Sequence, residues 1–188
     1  MRAAIVLAAG ASRRFGRIDK LNARLGGVPL LDHAIRNALA SGAARVIVVT
    51  SHDGISRRMG ARIHRVRAAR HREGLSASLA AGLAALRPIE REVLIFLGDM
   101  PFATVPRGMR LRPGLDAVRP VVGGKPGHPM LVRTTVARAA VSGGDRGLAG
   151  RLGRSGQVRG AAGNLVDIDT PAALSRARRM IGGTSPRR

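Results

Sequence analysis

The chain begins with an apolar run, residues 3–9, that passes directly into a short basic segment with a glycine at each end, Gly10 and Gly16. Arg14 lies within this segment and Lys20 follows it closely. Glycine lets backbone N–H groups turn toward a ligand, and the two cations supply the charge that phosphate oxygens need. A buried strand that leads into such a loop therefore predicts a nucleotide-binding site.

The spacing of the glycines excludes the two commonest nucleotide loops. No Gly-x-x-x-x-Gly-Lys-Ser/Thr segment occurs in the chain, and the interval from Gly10 to Gly16 is one residue too long for it. The pattern is not a dinucleotide fingerprint either. The phosphate site is thus of another class.

Length and cysteine content limit the kind of protein this is. A chain of 188 residues suits one domain, with no linker to divide it, and we predict a domain over residues 1–182 with a disordered tail at 183–188. The absence of cysteine excludes thiolate metal sites and fits a reducing compartment. The first apolar run is too short for a signal sequence or a membrane span, so we expect a cytoplasmic location and no membrane partner.

The charge is strongly basic. Lys and Arg number 33 against 11 Asp and Glu, for a net charge of +22. This favours anionic ligands such as nucleic acid, an acidic partner or a small polyanion, although a compositional bias of the source genome explains it equally well. Aromatic residues make up 2% of the chain, with no Trp or Tyr, so base stacking has no platform and nucleic acid is not an expected partner.

Helix and strand patterns alternate along the chain. This predicts βαβ units and an α/β fold with a mostly parallel sheet covered on both faces. Residues 106–114 are predicted as a loop or short helix. The predicted strands are 3–9, 45–50, 63–66, 93–97, 116–122, 130–132 and 165–168, and the predicted helices are 30–40, 76–86, 134–140, 146–152 and 171–181.

Asp99 is the strongest candidate for a metal ligand. It follows Gly98 at the carboxyl end of the predicted strand 93–97, the edge where ligands bind in open parallel sheets. At a nucleotide site, Mg²⁺ is typically held by one or two carboxylates and by the phosphates. The alternative is an Asp that only caps the turn before Pro101.

A second acidic pair, Asp167 and Asp169, precedes Thr170 and Pro171. If the segment is a strand, its alternation places both carboxylates on one face, where either could complete the metal shell. Alternatively, Asp169 is simply a residue at the start of the closing helix, with Thr170 as its cap and Pro171 in its first position.

Two further segments carry candidate binding residues. Ser76 and Ser78 lie at the start of a predicted helix, where hydroxyl and N–H groups can contact a nucleotide, or where Ser76 only caps the helix. The segment 123–129 is basic and rich in turn residues, as a loop that binds a second substrate, the acceptor, would be. His128 is its candidate contact to that substrate. A loop histidine with no role is the alternative.

Together these segments resemble the MobA-like nucleotidyltransferases, and most of all the molybdenum cofactor cytidylyltransferases among them. The resemblance rests on five motifs and on Gly144-Asp145-x-Gly147. The motif residues are Leu7, Ala8, Ala9, Gly10, Ser12, Arg14, Gly16 and Lys20, then Gly74, Ser76 and Ser78, then Gly98, Asp99 and Pro101, then Gly127, His128 and Pro129, and finally Asp167, Asp169, Thr170 and Pro171.

The resemblance implies a single-domain, Rossmann-like three-layer sandwich of the nucleotide-diphospho-sugar transferase type. It implies transfer of CMP from CTP to molybdopterin bearing molybdenum, with release of pyrophosphate and with Mg²⁺ as cofactor. The implied roles are catalysis by Arg14, Lys20 and Asp99, metal binding by Asp99, Asp167 and Asp169, acceptor binding by Gly127, His128 and Pro129, and nucleotide binding by Leu7, Ala8, Ala9, Gly10, Ser12, Arg14, Lys20, Ser76, Ser78 and Asp99.

Two readings of the activity stay open beside this one. The first is a guanylyltransferase, or a transferase acting on another phosphorylated acceptor. Relatives that use GTP usually carry glycine at the position of Ala9, whose methyl group would favour the smaller pyrimidine. The second is a non-catalytic basic accessory protein that binds a polyanionic cofactor or partner. A molybdoenzyme or its chaperone is a further candidate partner.

Overall fold

A mixed sheet of eight strands forms the centre of the described part of the protein. The computed structural model describes residues 1–9, 15, 20–51, 62–69, 74–141, 148 and 152–182. Two short strands form a separate hairpin before the first helix. In chain order the strands are β1 (Arg2–Ala8), β2 (Arg24–Leu25), β3 (Val28–Pro29), β4 (Arg45–Thr50), β5 (Ile63–Arg67), β6 (Glu92–Leu97), β7 (Ala117–Val122), β8 (Lys125–Pro126), β9 (Met130–Arg133) and β10 (Ser155–Arg159).

The strand order of the main sheet is β10-β7-β9-β6-β1-β4-β5, with β8 paired to β7. The β6, β1, β4 and β5 strands are parallel neighbours, and β10 is parallel to β7. Only β9 and the short β8 run the other way. The mostly parallel sheet predicted from the alternating pattern is therefore confirmed, and β7 points the same way as β6.

Helices cover both faces of the sheet. The apolar side of α1 (Leu30–Ala40) packs with Val6, Val48 and Phe96 on one face. On the other face, α2 (Leu75–Ala84) and α3 (Thr134–Val141) pack with the alternate side chains of the same strands. The strands are apolar on both faces because both are covered. This three-layer, single-domain α/β architecture is the predicted one.

The closing helix, α4 (Pro171–Gly182), packs away from the sheet. Leu174 and Ala177 join Leu25, Leu30 and Ile168 in a third apolar cluster. Thr170 caps the helix, as predicted, since its hydroxyl oxygen accepts a hydrogen bond of 3.1 Å from the N–H of Ala173. None of the described helices is long and apolar enough to cross a membrane.

The predicted strand at 165–168 is wrong. Residues Ala162–Leu165 form a 3₁₀ turn, and the segment after it is not in a strand. Ile168 is fully buried in the third cluster, and its N–H donates 3.0 Å to the carbonyl of Asp99. The apolar residue Ile168 thus marks burial against α4. The strand of this region is β10, an edge strand whose alternating side chains are exposed.

Other boundaries shift by a few residues. The second helix begins at Leu75 with Gly74, at φ 108°, as its N-cap, and no side chain caps it, so the capping role considered for Ser76 is also wrong. Residues 106–114 contain turns and no helix. The predicted helix 146–152, apart from Leu148 and Leu152, and the predicted tail 183–188 lie outside the described residues.

Candidate active site

The carboxyl ends of β1 and β6 meet at one edge of the sheet. The N–H of Gly98 donates 2.9 Å to the carbonyl of Leu7, and a Cβ at Gly98 would lie only 3.1 Å from that oxygen. Glycine is thus needed here for β6 to continue alongside β1 into Asp99. The predicted phosphate loop follows Ala9 in the chain, and its residues Gly10, Ser12, Arg14 and Gly16 lie outside the described residues.

Lys20 joins two of the predicted carboxylates. Its Nζ donates hydrogen bonds of 2.7 Å to Oδ2 of Asp99 and 2.6 Å to Oδ1 of Asp169. The lysine side chain is 14% exposed, against 24% for Asp99 and 43% for Asp169. Three residues from distant parts of the sequence therefore form one cluster at the predicted edge.

The charge of Lys20 is secured by its two partners. Burial alone would lower its pKa, but the hydrogen bonds and negative charges of Asp169 and Asp99 outweigh burial, and the net result is a raised pKa. Lys20 is therefore an ammonium ion throughout the neutral range. Such a fixed cation suits the binding of phosphate oxygens.

Asp167 belongs to the same acidic group. Partial burial of its carboxylate is the first cause that raises the pKa of Asp167, and the negative charges of Asp169 and Asp99 raise it further, while Lys20 lowers it. The residue as a whole is exposed, whereas Asp99 is half-buried. Asp99, Asp167 and Asp169 thus share one region of negative potential, although the last two do not lie on a strand as predicted.

This donor set fits a hard divalent cation. Within the described ranges, no group of three or more His, Cys, Asp or Glu side chains has an arrangement that would hold a metal by itself. Mg²⁺, however, is usually held by one or two carboxylates together with substrate phosphates and water. Asp99 and Asp169, with oxygen atoms that converge on one cation, match that mode.

The His128 loop, residues 123–129, is held in place by Asn164, which is 1% exposed. The carboxamide of Asn164 donates 2.6 Å to the carbonyl of His128 and 2.7 Å to that of Thr104, and its oxygen accepts from the N–H of Ala161. The His128 N–H in turn donates 2.9 Å to the carbonyl of Asn164. One buried amide therefore holds the predicted acceptor segment against the residues before α4.

Gly127 and Pro129, the other two predicted acceptor residues, are buried beside His128. A Cβ at Gly127 would collide with the backbone carbonyl of Asn164. Gly127 is thus required for the close approach of the two segments, and a direct contact between Gly127 or Pro129 and an acceptor stays a prediction.

His128 is held in its neutral form. Its Nδ1 lies 3.4 Å from the carbonyl oxygen of Ile95, a contact in which the N–H donates. Burial lowers the pKa of His128, the positive charge of Arg119 lowers it further, and the contact with Ile95 and the charge of Asp99 only partly offset this. Asp99 is therefore close enough to His128 for its charge to act on the imidazole.

The remaining predicted nucleotide residues lie nearby with less distinctive contacts. Ser78 is 3% exposed and its hydroxyl faces the carbonyl of Gly74 at 3.5 Å, while Ser76 is half-buried. Leu7, Ala8 and Ala9 are buried at the end of β1, and Ala9 packs in the apolar layer beneath α2. Their contact with a nucleotide stays a prediction.

Two residues of this region were missed at the sequence level. Asn164 directly precedes the predicted strand 165–168 and was given no role. Arg119 is a single charge within the strand β7. A lone amide or cation in an otherwise ordinary segment has no periodic signature. The one available signal was that Arg119 interrupts an apolar strand, where a charged residue is uncommon.

Family membership follows from a match that spans most of the chain. Residues 4–158 match the model of the MobA-like NTP transferase domain. The chain belongs to this family. The matched region contains Lys20, Asp99 and His128, so this MobA-like NTP transferase has its candidate site largely inside the family domain. No curated protein matches the sequence significantly.

Solved structures show the same fold. A nucleotidyl transferase from Methanothermobacter thermautotroptrophicus superposes with a TM-score of 0.80 at 22% identity, covering 98% of this chain and 99% of that one. The 4-diphosphocytidyl-2C-methyl-D-erythritol synthase of Anaerococcus prevotii gives 0.75 at 17% identity, covering 97% and 98%. The molybdopterin-guanine dinucleotide biosynthesis protein A of Archaeoglobus fulgidus gives 0.67 at 19%, covering 97% and 100%. At these identities the likeness establishes the architecture of the MobA-like NTP transferase and leaves its substrates open.

Proposed function

We propose that this MobA-like NTP transferase moves CMP from CTP to the terminal phosphate of a molybdopterin-type acceptor and releases pyrophosphate. The observation that carries the proposal is the Lys20 ammonium, paired with Asp99 and Asp169 directly beside the end of β1. In this proposal the His128 loop, whose imidazole is within reach of the charge of Asp99, receives the acceptor.

The residues divide the work of an in-line displacement. Lys20 binds and neutralises triphosphate oxygens, aided by Arg14 from the loop after β1. Asp99, with Asp169 and Asp167, would hold Mg²⁺, which when bound neutralises charge on the phosphates. Because an acceptor phosphate oxygen is already a nucleophile, no covalent enzyme intermediate is needed, and catalysis consists of positioning and charge neutralisation.

His128 orients the acceptor in this scheme. With Nδ1 donating to the carbonyl of Ile95, Nε2 carries the lone pair and accepts a hydrogen bond from the acceptor. The lowered pKa of His128 keeps that lone pair available at neutral pH. Gly127 and Pro129 shape the backbone on either side of the ring.

Support for the cytidylyl specificity is comparative. The Gly127-His128-Pro129 segment and Ala9 resemble the cytidylyltransferase subgroup. The neighbour from Anaerococcus prevotii is named for a diphosphocytidyl product and that from Archaeoglobus fulgidus for a guanine dinucleotide product. A guanylyltransferase, or a transferase for another phosphorylated acceptor, is therefore the alternative to test.

The deciding experiment measures pyrophosphate release from CTP, GTP, ATP and UTP, each with Mg²⁺ and molybdenum-loaded molybdopterin. Release with CTP alone, abolished in Asp99→Ala, is the expected result. Release with GTP would make the protein a guanylyltransferase. No release with any nucleotide would overturn the acceptor assignment, and polyanion binding that survives Asp99→Ala with a steep salt dependence would favour the accessory protein.

A further inference from the structure

Arg119 is a partly buried cation with one buried donor, Nε–H, that has no partner among the described residues. It lies in the middle of β7, between the buried residues Val118 and Pro120. Burial lowers the pKa of the guanidinium, which nevertheless stays charged because its ordinary value is so high.

A buried guanidinium N–H without a partner is costly. A charged donor removed from water loses its hydration, and the loss is normally recovered through a carboxylate or a hydrogen bond. The ion pairs recorded for the described ranges use Arg2, Lys20 and Arg45 and leave Arg119 without one. The buried Nε–H of Arg119 is thus a donor that an anion from outside the chain could satisfy.

The strand register places Arg119 near the His128 loop. Val118 pairs with Leu131 of β9, and Leu131 pairs with Leu94 of β6. Arg119 is therefore level with Ile95, the residue whose carbonyl contacts the imidazole of His128. The guanidinium is also close enough to His128 for its charge to act on that ring.

The neighbouring groups have different tasks. Lys20 is held by Asp99 and Asp169 on the β1 side of β6, where the nucleotide loop begins. Arg119 lies on β7, which is separated by β9 from β6, the strand that leads into Asp99, and no carboxylate of the described residues pairs with it. Two cations with separate positions suit a reaction that brings together two phosphorylated substrates.

We propose that Arg119 binds the phosphate group of the acceptor, a phosphate monoester, and positions it next to His128. This inference rests on the proposed function for the name of the acceptor, but the anion site itself does not. The planar fork of arginine suits phosphate oxygens, and the buried Nε–H would gain the partner that it lacks in the free protein.

The test uses binding, so that it is independent of turnover. In full-length protein labelled with ¹⁵N, the Nε–H resonance of Arg119 is assigned by its loss in Arg119→Lys. Methyl phosphate, CTP and pyrophosphate are then added in separate titrations at fixed ionic strength. We expect methyl phosphate to shift this resonance and to protect the Nε–H from exchange, and CTP alone to leave it in place.

Two methionine variants measure the affinity. Arg119→Met should weaken methyl phosphate binding by roughly tenfold to hundredfold, as expected for the loss of a charge-assisted hydrogen-bonded pair, while CTP affinity changes less than about twofold. Arg110→Met, which removes an exposed arginine of the same chain, is the matched control and should leave both affinities unchanged.

Three outcomes would overturn the inference. A shift caused by pyrophosphate or CTP and not by methyl phosphate would assign Arg119 to the nucleotide. Equal losses in Arg119→Met and Arg110→Met would mean general attraction to a basic surface.

Thermal unfolding gives a second check: Arg119→Met should melt at the same temperature or higher, and a large decrease would indicate a structural role instead. Failure of CTP turnover with an intact Arg119 titration would refute only the proposed function.

Discussion

Lys20 and Asp169 are 149 positions apart in the chain, yet the lysine Nζ lies 2.6 Å from the aspartate oxygen. The same Nζ binds Asp99 at 2.7 Å. The residues before α4 are thereby joined to the segment after the first strand through the candidate active site. The cluster is thus at once a feature of the fold and the centre of the proposed chemistry.

The first prediction concerns the cation of this cluster. Lys20→Met should lower pyrophosphate release on the order of a hundredfold or more, because a preorganised charge on the phosphates is lost. Lys20→Arg, which keeps the charge but not its shape, should retain more activity. Steady-state kinetics with CTP decide it, and equal rates in Lys20→Met and the wild type would remove Lys20 from the mechanism.

The second prediction separates the two aspartates near α4. Asp169→Asn removes an ion-pair partner of Lys20 as well as a candidate metal ligand, whereas Asp167 is exposed. We expect Asp169→Asn to raise the Mg²⁺ concentration for half-maximal rate by about tenfold, with a smaller effect for Asp167→Asn. A Mg²⁺ titration of both variants tests this, and the reverse ranking would make Asp167 the main ligand.

The third prediction concerns stability in acid. Glu90 is 3% exposed and accepts hydrogen bonds from Arg45 Nε at 3.0 Å, from the Arg45 guanidinium at 2.9 Å and from the backbone N–H of Arg87 at 2.6 Å. Burial alone would raise its pKa, but these interactions outweigh burial, and the pKa of Glu90 is lowered.

Because the folded pKa lies below the unfolded one, this pair stabilises the protein above the unfolded pKa of a glutamate and loses that effect as the pH falls through the folded pKa. Glu90→Gln should cost about 3 kcal/mol at pH 7, and the difference from the wild type should shrink in acid. Melting temperatures measured against pH test it. Glu92→Gln, at a half-exposed pair with Arg2, is the control and should cost less than about 1 kcal/mol.

The fourth prediction concerns Asn164. Asn164→Ala leaves the carbonyls of His128 and Thr104 without their donor, at a cost of about 1–3 kcal/mol for each buried group. The acceptor KM should rise more than the CTP KM, because the His128 loop loses its anchor. Equal changes in both KM values would mean that the effect is a general loss of folded protein.

The fifth prediction tests base choice. Ala9 is 1% exposed at the end of β1, so Ala9→Gly changes the volume there by one methyl group without exposing the core. We expect the ratio of CTP to GTP turnover to fall, because the methyl group that would favour the smaller pyrimidine is removed. An unchanged ratio would show that this methyl group does not discriminate between the bases.

Long periodic or fully apolar segments could be predicted from the sequence. The α1 helix and β4 have the predicted bounds. The apolar residues of α1 recur at helical spacing, β4 is a continuous apolar run, and both sets are buried. The edge strand β10 was missed because its inward positions are occupied by Gly156 and Val158 only, which is too little pattern. Residues 165–168 were mistaken for a strand because burial against α4 produces the same apolar signal as burial in a sheet.

The candidate site was predictable where a motif ends a strand. Asp99 and Lys20 were found in this way, and the structure brings them together. Asp169 was found from its neighbours Thr170 and Pro171, although its position follows from the start of α4 and not from strand alternation. The roles of Asn164 and Arg119 depend on which distant groups they meet, and only the folded chain supplies that information.

The reversed direction of β9 has a consequence for how such a protein can diversify. Since β7 ends and β9 begins at the same edge of the sheet, residues 123–129 leave the scaffold and return to it at nearly one point. Within this segment Lys125 and Pro126 pair with β7, and Gly127 and His128 are held by Pro120 and Asn164, so the turn at Gly123 and Gly124 is the part that can be lengthened without moving the strands that hold Asp99. Under the proposed function, a change in the length of this turn would alter the acceptor side of the site and leave Lys20 and Asp99 in place.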